Sequence, residues 1–362
     1  MKLTIRNLFL LALLWLSLSK HQSQKVQFIF GDSLSDVGNN IHLTRSLAQA
    51  SLPWYGVDFG DGLPNGRYTN GRTVADIIGD HIGLPRPPAY MNPFLSEEVI
   101  LENGVNFASG GGGILNETGG LFIQRFSLHK QIELFQGVIR LIADYMGEEE
   151  SREFFIRASY VVVIGSNDLI NNYLVPFYKD SWSFNDQSFI DHLLTNLLEQ
   201  LSSLHKLGAR EVLVFGLGPV GCIPLQRVFS ISGGCQRRTN DLVMRFNQGV
   251  RKMSETLSAE LANSSFKYAD AYDAVIDIVS NPLKYVVRVS GFSNSDSPCC
   301  SFGEIRPALT CVPTSTLCSD RRKYVFWDEY HPSDRTNELI AEELMRKLGF
   351  IRDYGSDVIA NP

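Results

Sequence analysis

Cleaving an ester through an enzyme-bound acyl group needs four things. They are a hydroxyl to attack, a base to take its proton, a group to orient that base, and donors aimed at the developing oxyanion. Residue types for each role occur in four short stretches of this 362-residue chain. The first, VQFIFGDSLSDVGNN (26–40), runs apolar and then stops at Gly31-Asp32-Ser33, offering a hydroxyl and a backbone N–H from the same serine. The second, SGGGGIL (109–115), lets backbone approach a ligand with no side chain in the way. The third, GSNDL (165–169), carries Asn167, an amide donor that stabilises negative charge without a titrating proton. The fourth, VFWDEYHPSD (325–334), places Asp328 three residues before His331. That spacing can bring a carboxylate to one imidazole nitrogen, fixing the tautomer so that the other nitrogen faces Ser33.

The choice of His331 as base is made among seven histidines. His21 lies next to a leader-like segment, and His42 and His81 fall in or beside helical stretches. His129, His192 and His205 sit in helical stretches with ordinary surface neighbours. None pairs with another at metal-ligand spacing, so no metal is expected. Taken singly, each motif has a bland explanation: a turn serine, a glycine loop, an Asn-Asp cap, a surface Asp-x-x-His turn. Their joint order and placement favour chemistry. His331 must be unprotonated to act as base, so activity is expected at neutral to alkaline pH.

Something must bring these distant motifs together. Apolar, β-rich runs at 26–30, 104–108, 160–164, 211–215 and 266–269 read as strands buried on both faces, as in a parallel sheet. Between them lie long helical stripes. Ile190, Leu193, Leu197, Leu201 and Leu204 form one, with Ser188 and Asp191 as an expected capping pair and Gly208 at its end. Leu242, Phe246, Val250, Met253 and Leu257 form another, and Ile340, Leu344 and Leu348 line a last helix after Pro332-Ser333. Strand–helix alternation predicts a three-layer α/β sandwich. In such a sheet ligands bind beyond the carboxyl ends of the strands. Ser33, the glycine cluster and Asn167 each follow a predicted strand, so one sheet edge should gather them.

Taken together, FGDSLSDVGNN, GVNFASGGGGIL, VVVIGSNDLI and FWDEYHPSD resemble the sequence blocks of plant-type GDSL esterases/lipases of the SGNH hydrolase superfamily. The likeness covers residue 26 to about 349, and NGRYTNGR (65–72) and the cysteine pattern are similar to the plant branch. The resemblance implies a flavodoxin-like αβα sandwich with a five-stranded parallel sheet and no cofactor. It implies Ser33 as nucleophile and oxyanion donor, Asp328 and His331 as its partners, and Asn167 as a further donor. It also implies a glycine N–H in the oxyanion hole. That role aligns to Gly113, with Gly110 and Gly111 as alternatives because the four-glycine run leaves the register open. The serine is not in the G-x-S-x-G elbow of α/β-hydrolases. The expected activity is hydrolysis of acyl or acetyl esters through an acyl-enzyme. The alternatives are an acyltransferase that passes the same acyl group to an alcohol, and a non-catalytic secreted binding protein.

Composition agrees with a soluble globular protein, 44% apolar and 20% charged. Residues 1–19 read as a secretory signal, with a charged start at Lys2 and Arg6, an apolar stretch too short to span a bilayer, and cleavage expected between 19 and 24. Losing Lys2 and Arg6 would take the formal charge from −6 to about −8. With no basic cluster, nucleic acid is not an expected partner, and no later segment is long and apolar enough for a membrane span. Residues 26–349 are expected to form one domain, with 350–362 as a tail and with 51–72, 85–98 and 290–319 as elaborated surface loops. An extracellular chain, in the cell wall or beyond it, would oxidise its six cysteines. Cys222 and Cys235 would close a short loop, while adjacent Cys299 and Cys300 would each pair with Cys311 or Cys318, in an order the spacing leaves open. Zinc is the weaker alternative, since paired C-x-x-C knuckles are missing. Asn116 and Asn263 head N-glycosylation triplets. The expected partner is a small-molecule, lipid or polysaccharide ester; spacing says nothing of acyl length or oligomeric state. Trp54, Tyr55, Phe59, Tyr90 and Phe94 crowd two loops, and packing those loops down is favoured over lining an acyl groove. No hydrophobic lid helix is evident.

Overall fold

The computed structural model describes residues 25–285, 291–301 and 311–351. The signal segment therefore lies outside the described residues, as does the tail beyond Ile351. The centre is a five-stranded parallel sheet of order β2-β1-β3-β4-β5, built from β1 (Gln27–Gly31), β2 (Gly104–Asn106), β3 (Ser159–Val163), β4 (Glu211–Phe215) and β5 (Ser265–Ala269). β1 is an inner strand, second in that order, and buried at all five positions, which is why it reads as a continuous apolar run. It pairs with β2 on one side and β3 on the other, Gln27 facing Gly104 and Ser159. The chain thus reverses its winding direction at β1, and a crevice opens at its carboxyl end.

The helices that matter here are α1 (Val74–His81), α2 (Glu97–Asn103), α3 (Leu128–Met146), α4 (Glu148–Arg157), α5 (Asp186–Lys206), α6 (Arg237–Glu260), α7 (Ala271–Ser280) and α8 (Asp334–Lys347). α3, α5 and α6 pack side by side on one face of the sheet, and α1, α7 and α8 on the other. This is the expected αβα sandwich. α5 starts earlier than its apolar stripe implied. Asn185 is the cap and Ser188, the third residue of the helix, its partner, each side chain bonded to the other's backbone N–H, so Asp191 is not part of the cap. β2 ends two residues earlier than expected. Phe107 and Ser109 still donate to Ile29 and Gly31 of β1, but Asn39 takes over the carbonyls of Asn106 and Ala108. A side chain from the first motif replaces strand pairing there.

A smaller hydrophobic cluster sits beside the main core and joins the cysteine region to the loop 51–72. It contains Tyr55, Tyr68, Cys299, Cys300, Cys311 and Trp327. The three disulfides are Cys222–Cys235, Cys299–Cys318 and Cys300–Cys311, which leaves no thiolate for zinc among the described residues. Two of them abut the approach to Asp328. β6 (Asn294–Pro298) runs parallel to β7 (Tyr324–Phe326), and the N–H groups of Cys299 and Cys300 donate to the carbonyls of Phe326 and Trp327. The loop 51–72 is more than surface elaboration. It buries Tyr55 and Tyr68, and its Arg67 forms a buried bidentate pair with Asp76 at the capped start of α1.

Candidate active site

Ser33 stands just past the end of β1. Gly31 is needed there because a side chain would meet the Val163 carbonyl oxygen at 2.5 Å, and Gln131 of α3 clamps it by accepting from its N–H and donating to its carbonyl. The chain then turns sharply: Asp32 Oδ1 accepts from Leu34 N–H, and the Asp32 carbonyl accepts from Ser35 and Asp36. Among the described residues no protein group accepts from the Ser33 N–H, so it is free at the same turn that presents the hydroxyl.

Three hundred residues later, the tight loop between Phe326 and Pro332 is closed by Trp327 N–H donating to the His331 carbonyl. Within it Asp328 Oδ1 accepts from the backbone N–H groups of Tyr330 and His331, each at 2.8 Å. His331 Nδ1 lies 2.8 Å from both Asp328 oxygens, and its Nε2 lies 2.7 Å from Ser33 Oγ. The carboxylate therefore selects the tautomer with the proton on Nδ1, leaving Nε2 to accept from the serine. Asp328 is fully buried, and its second oxygen also accepts from the Tyr55 hydroxyl at 2.7 Å. Tyr68 packs against the imidazole at 5.1 Å between ring centres.

Asn167, after β3, is oriented at both ends of its amide. Its Nδ2 donates to the Gly112 carbonyl at 2.9 Å, and its Oδ1 accepts from Asn171 at 2.6 Å. One Nδ2 hydrogen remains. The glycine loop is fixed from outside: Asp36 accepts from Gly110 N–H, Asn40 donates to the Gly110 carbonyl, and Asp168 accepts from Ile114, Leu115 and Thr118. These anchors decide which glycine can serve the oxyanion. Gly110 N–H is committed to Asp36, and Gly112 N–H to the Ser109 carbonyl. Among the described residues all peptides are trans, so the N–H of Gly113, the expected donor, points opposite to the Gly112 carbonyl that receives Asn167. Gly113 packs instead on Thr118 and Asp168. Gly111, held at φ +79°, keeps an N–H with no protein acceptor among the described residues and turned away from Asn40.

Charge is distributed unevenly in this loop. Burial works against ionised Asp328, but the adjacent imidazole and the donors from His331, Tyr330 and Tyr55 outweigh it and hold the carboxyl below its usual range. Its neighbour Glu329 is pushed up to about 9 by burial and then by the Asp328 charge, and among the described residues its Oε2 has no hydrogen-bond partner. A raised carboxyl costs stability as pH rises. Between its ordinary range and about 9 the unfolded chain has released the proton while the folded chain still holds it. Glu329→Gln should therefore flatten the loss of melting temperature between about pH 5 and pH 9 relative to wild type. Parallel thermal melts across that window check this, and equal slopes would refute it.

Of the residues singled out in sequence, Ser33, Asp328, His331 and Asn167 converge at one sheet edge. Asn116 and Asn263 are exposed at the surface, away from this group. The loop aromatics mainly pack, as expected: Tyr55 and Trp54 join the smaller cluster, Tyr90 stacks on Phe107, and Phe59 lies under Arg67 and Arg86, while Phe94 is exposed. Missed by the sequence reading were Asp36, Asn39, Asn40 and Asp168, the anchors of the glycine loop, and Tyr55. Three of them stand in the quoted GDSLSDVGNN stretch, where the polar pairs Ser35-Asp36 and Asn39-Asn40 so soon after a buried strand were the available signal. Among the described residues no helix is long and apolar enough to cross a membrane, and no group of three or more His, Cys, Asp or Glu side chains is placed to hold a metal ion.

Residues 28–344 match the family model described as GDSL-like Lipase/Acylhydrolase. A GDSL esterase/lipase of Arabidopsis thaliana is 61% identical over 337 residues, covering 93% of this chain and 91% of its own. A second one from the same plant is 42% identical over 326 residues, 90% of each chain. Among solved structures, an acetylxylan esterase from Geobacillus stearothermophilus covers 91% of this chain and 96% of its own, at 14% identity and a TM-score of 0.41.

Proposed function

Because the chain belongs to the GDSL-like lipase/acylhydrolase family, as a carboxylic ester hydrolase of the plant GDSL esterase/lipase type, we propose that it works through an acyl-enzyme on Ser33. Ser33 Oγ attacks the ester carbonyl carbon as His331 Nε2 takes its proton. The oxyanion is held by the N–H groups of Ser33 and Gly111 and the free Nδ2 hydrogen of Asn167. When the tetrahedral adduct collapses, the C–O bond to the alcohol breaks and His331 returns the proton to the leaving oxygen. Water then attacks the acyl group, giving its proton to His331, and the acid leaves as Ser33 recovers the proton. Asp328 steadies the imidazolium throughout.

The observation that carries this reading is the unbroken chain from Ser33 Oγ to His331 Nε2 at 2.7 Å and from Nδ1 to Asp328 at 2.8 Å. A fluorophosphonate probe should label the wild-type protein at Ser33 and leave Ser33→Ala unlabelled. Labelling elsewhere, or hydrolysis that survives Ser33→Ala, would remove Ser33 from the role.

We also propose that the substrates are small-molecule or lipid esters and that the protein acts outside the cell. On this reading residues 1–19 are removed, 26–349 form one domain, 350–362 form a tail, and Asn116 and Asn263 carry glycans. Three disulfides support an oxidising compartment, and both asparagines are exposed.

A further inference from the structure

The last glycine of the four-glycine run lacks a side chain for a packing reason. A Cβ on Gly113 would meet the Thr118 side chain at 2.3 Å and Asp168 Oδ1 at 2.7 Å. Those two groups are bonded to each other, Thr118 Oγ1 donating to Asp168 Oδ1 at 2.6 Å. The same carboxylate accepts from Ile114 N–H at 2.9 Å and from Leu115 N–H at 3.0 Å. Asp168 and Thr118 are both buried, and all three donors to the carboxylate are neutral groups. Burial pushes the Asp168 carboxyl up to about 6, while the donors from Thr118, Leu115 and Ile114 pull the other way. An asparagine could not replace it. Three donors converge on two oxygens, whereas an amide has one oxygen and would turn N–H on the rest.

Asp168 is also the residue after Asn167. These consecutive side chains reach the same loop at different points, the amide at the Gly112 carbonyl and the carboxylate at Ile114, Leu115 and Thr118. A single attachment would let the turn after β3 pivot against the glycine loop; two attachments fix it. We propose that Asp168 is the positioning residue of the oxyanion hole. By tying that turn to the glycine loop it holds the free Nδ2 hydrogen of Asn167 and the N–H of Gly111 at one spacing, with Thr118 as its hydroxyl partner. This rests on the acyl-enzyme at Ser33 and on the oxyanion donors proposed above. On this account Gly113 is glycine to make room for the clamp, not to donate to the oxyanion. Asp168 touches no reacting atom. Its effect passes through the two donors, where a displacement of about 1 Å can cost on the order of 10²-fold in rate.

The test is steady-state kinetics of the folded full-length protein on an aryl ester, with sites counted by end-point fluorophosphonate labelling so that misfolded molecules do not contribute. Asp168→Asn should lower kcat per labelled site by on the order of 10²-fold, with KM little changed. Thr118→Val removes one donor at nearly constant shape and should lower kcat about tenfold, while Thr118→Ser should restore it. Thr118→Val decides the matter if Asp168→Asn does not fold. Thr118 also completes the triplet headed by Asn116, so Asn116→Gln is the control: it removes the triplet, keeps the hydroxyl and should behave as wild type. In an Asn167→Ala background Asp168→Asn should cost far less than it does alone, because one of the two donors it spaces is already gone. Losses that multiply across the two sites overturn the role. So does a Thr118→Val defect confined to KM or to melting temperature, or an Asn116→Gln enzyme as slow as Thr118→Val. If Ser33 is not labelled in wild type, or Asn167→Ala keeps full kcat, the reading of the site beneath the proposal fails and takes it down. If Asn167→Ala is slow while Asp168→Asn and Thr118→Val keep wild-type kcat, this proposal alone fails.

Discussion

Asp328→Asn is expected to leave the fold and Ser33 in place yet cut kcat/KM by on the order of 10⁴. The reason lies in what surrounds this one carboxylate. It accepts from the His331 ring, from two backbone N–H groups and from the Tyr55 hydroxyl, and all of these are donors. An asparagine has a single oxygen to accept them, and its NH₂ must face another donor. The least costly resolution is for the imidazole to move its proton to Nε2, which then presents a hydrogen to Ser33 in place of a lone pair. Geometry survives and the base is lost. Tyr55→Phe removes only one donor to the same oxygen and should cost about tenfold, the loss expected from one charge-assisted hydrogen bond. Steady-state kinetics on folded variants decides the matter. An Asp328→Asn enzyme within tenfold of wild type would mean that His331 does not depend on this carboxylate.

Asn167→Ala should lower kcat by on the order of 10²–10³, corresponding to about 3–4 kcal/mol of transition-state stabilisation, with little change in KM. Its amide is fixed before substrate arrives, by the Gly112 carbonyl at one end and Asn171 at the other. A donor that need not reorganise is worth most when charge develops on the oxyanion, so the loss should fall on kcat and not on ground-state binding. Asn167→Asp should be no better than alanine, because a carboxylate there would repel the oxyanion. A rise in KM with kcat preserved would place Asn167 in substrate binding and outside the oxyanion hole.

Much of this protein is written in its local sequence. Apolar runs mark the strands, most clearly β1, which is covered on both faces and apolar from Phe28 to Phe30, while β5 at the sheet edge carries the exposed Lys267. Parallel strands then force whatever follows them to one edge, which brings Ser33, the glycine cluster and Asn167 together. The Asp328–His331 pairing is just as local, three residues within one turn.

Other features depend on how distant segments close on one another, and composition or periodicity does not encode that. Tyr55 looked like a loop aromatic; only the packing of loop 51–72 against the disulfide region brings its hydroxyl to Asp328, 273 residues away. Alignment favoured Gly113, but the direction of a peptide N–H is set by the path of the loop, which Asp36, Asn40 and Asp168 impose through hydrogen bonds from two other motifs. The order of the disulfides Cys299–Cys318 and Cys300–Cys311 arises in the same way. The sequence by itself determined the chemistry and the sheet edge where its groups meet, since both follow from residue type and short-range spacing. Only the tertiary structure decided which loop anchors and which supporting hydroxyl stand around the serine, since those are set by contacts between residues far apart in the chain.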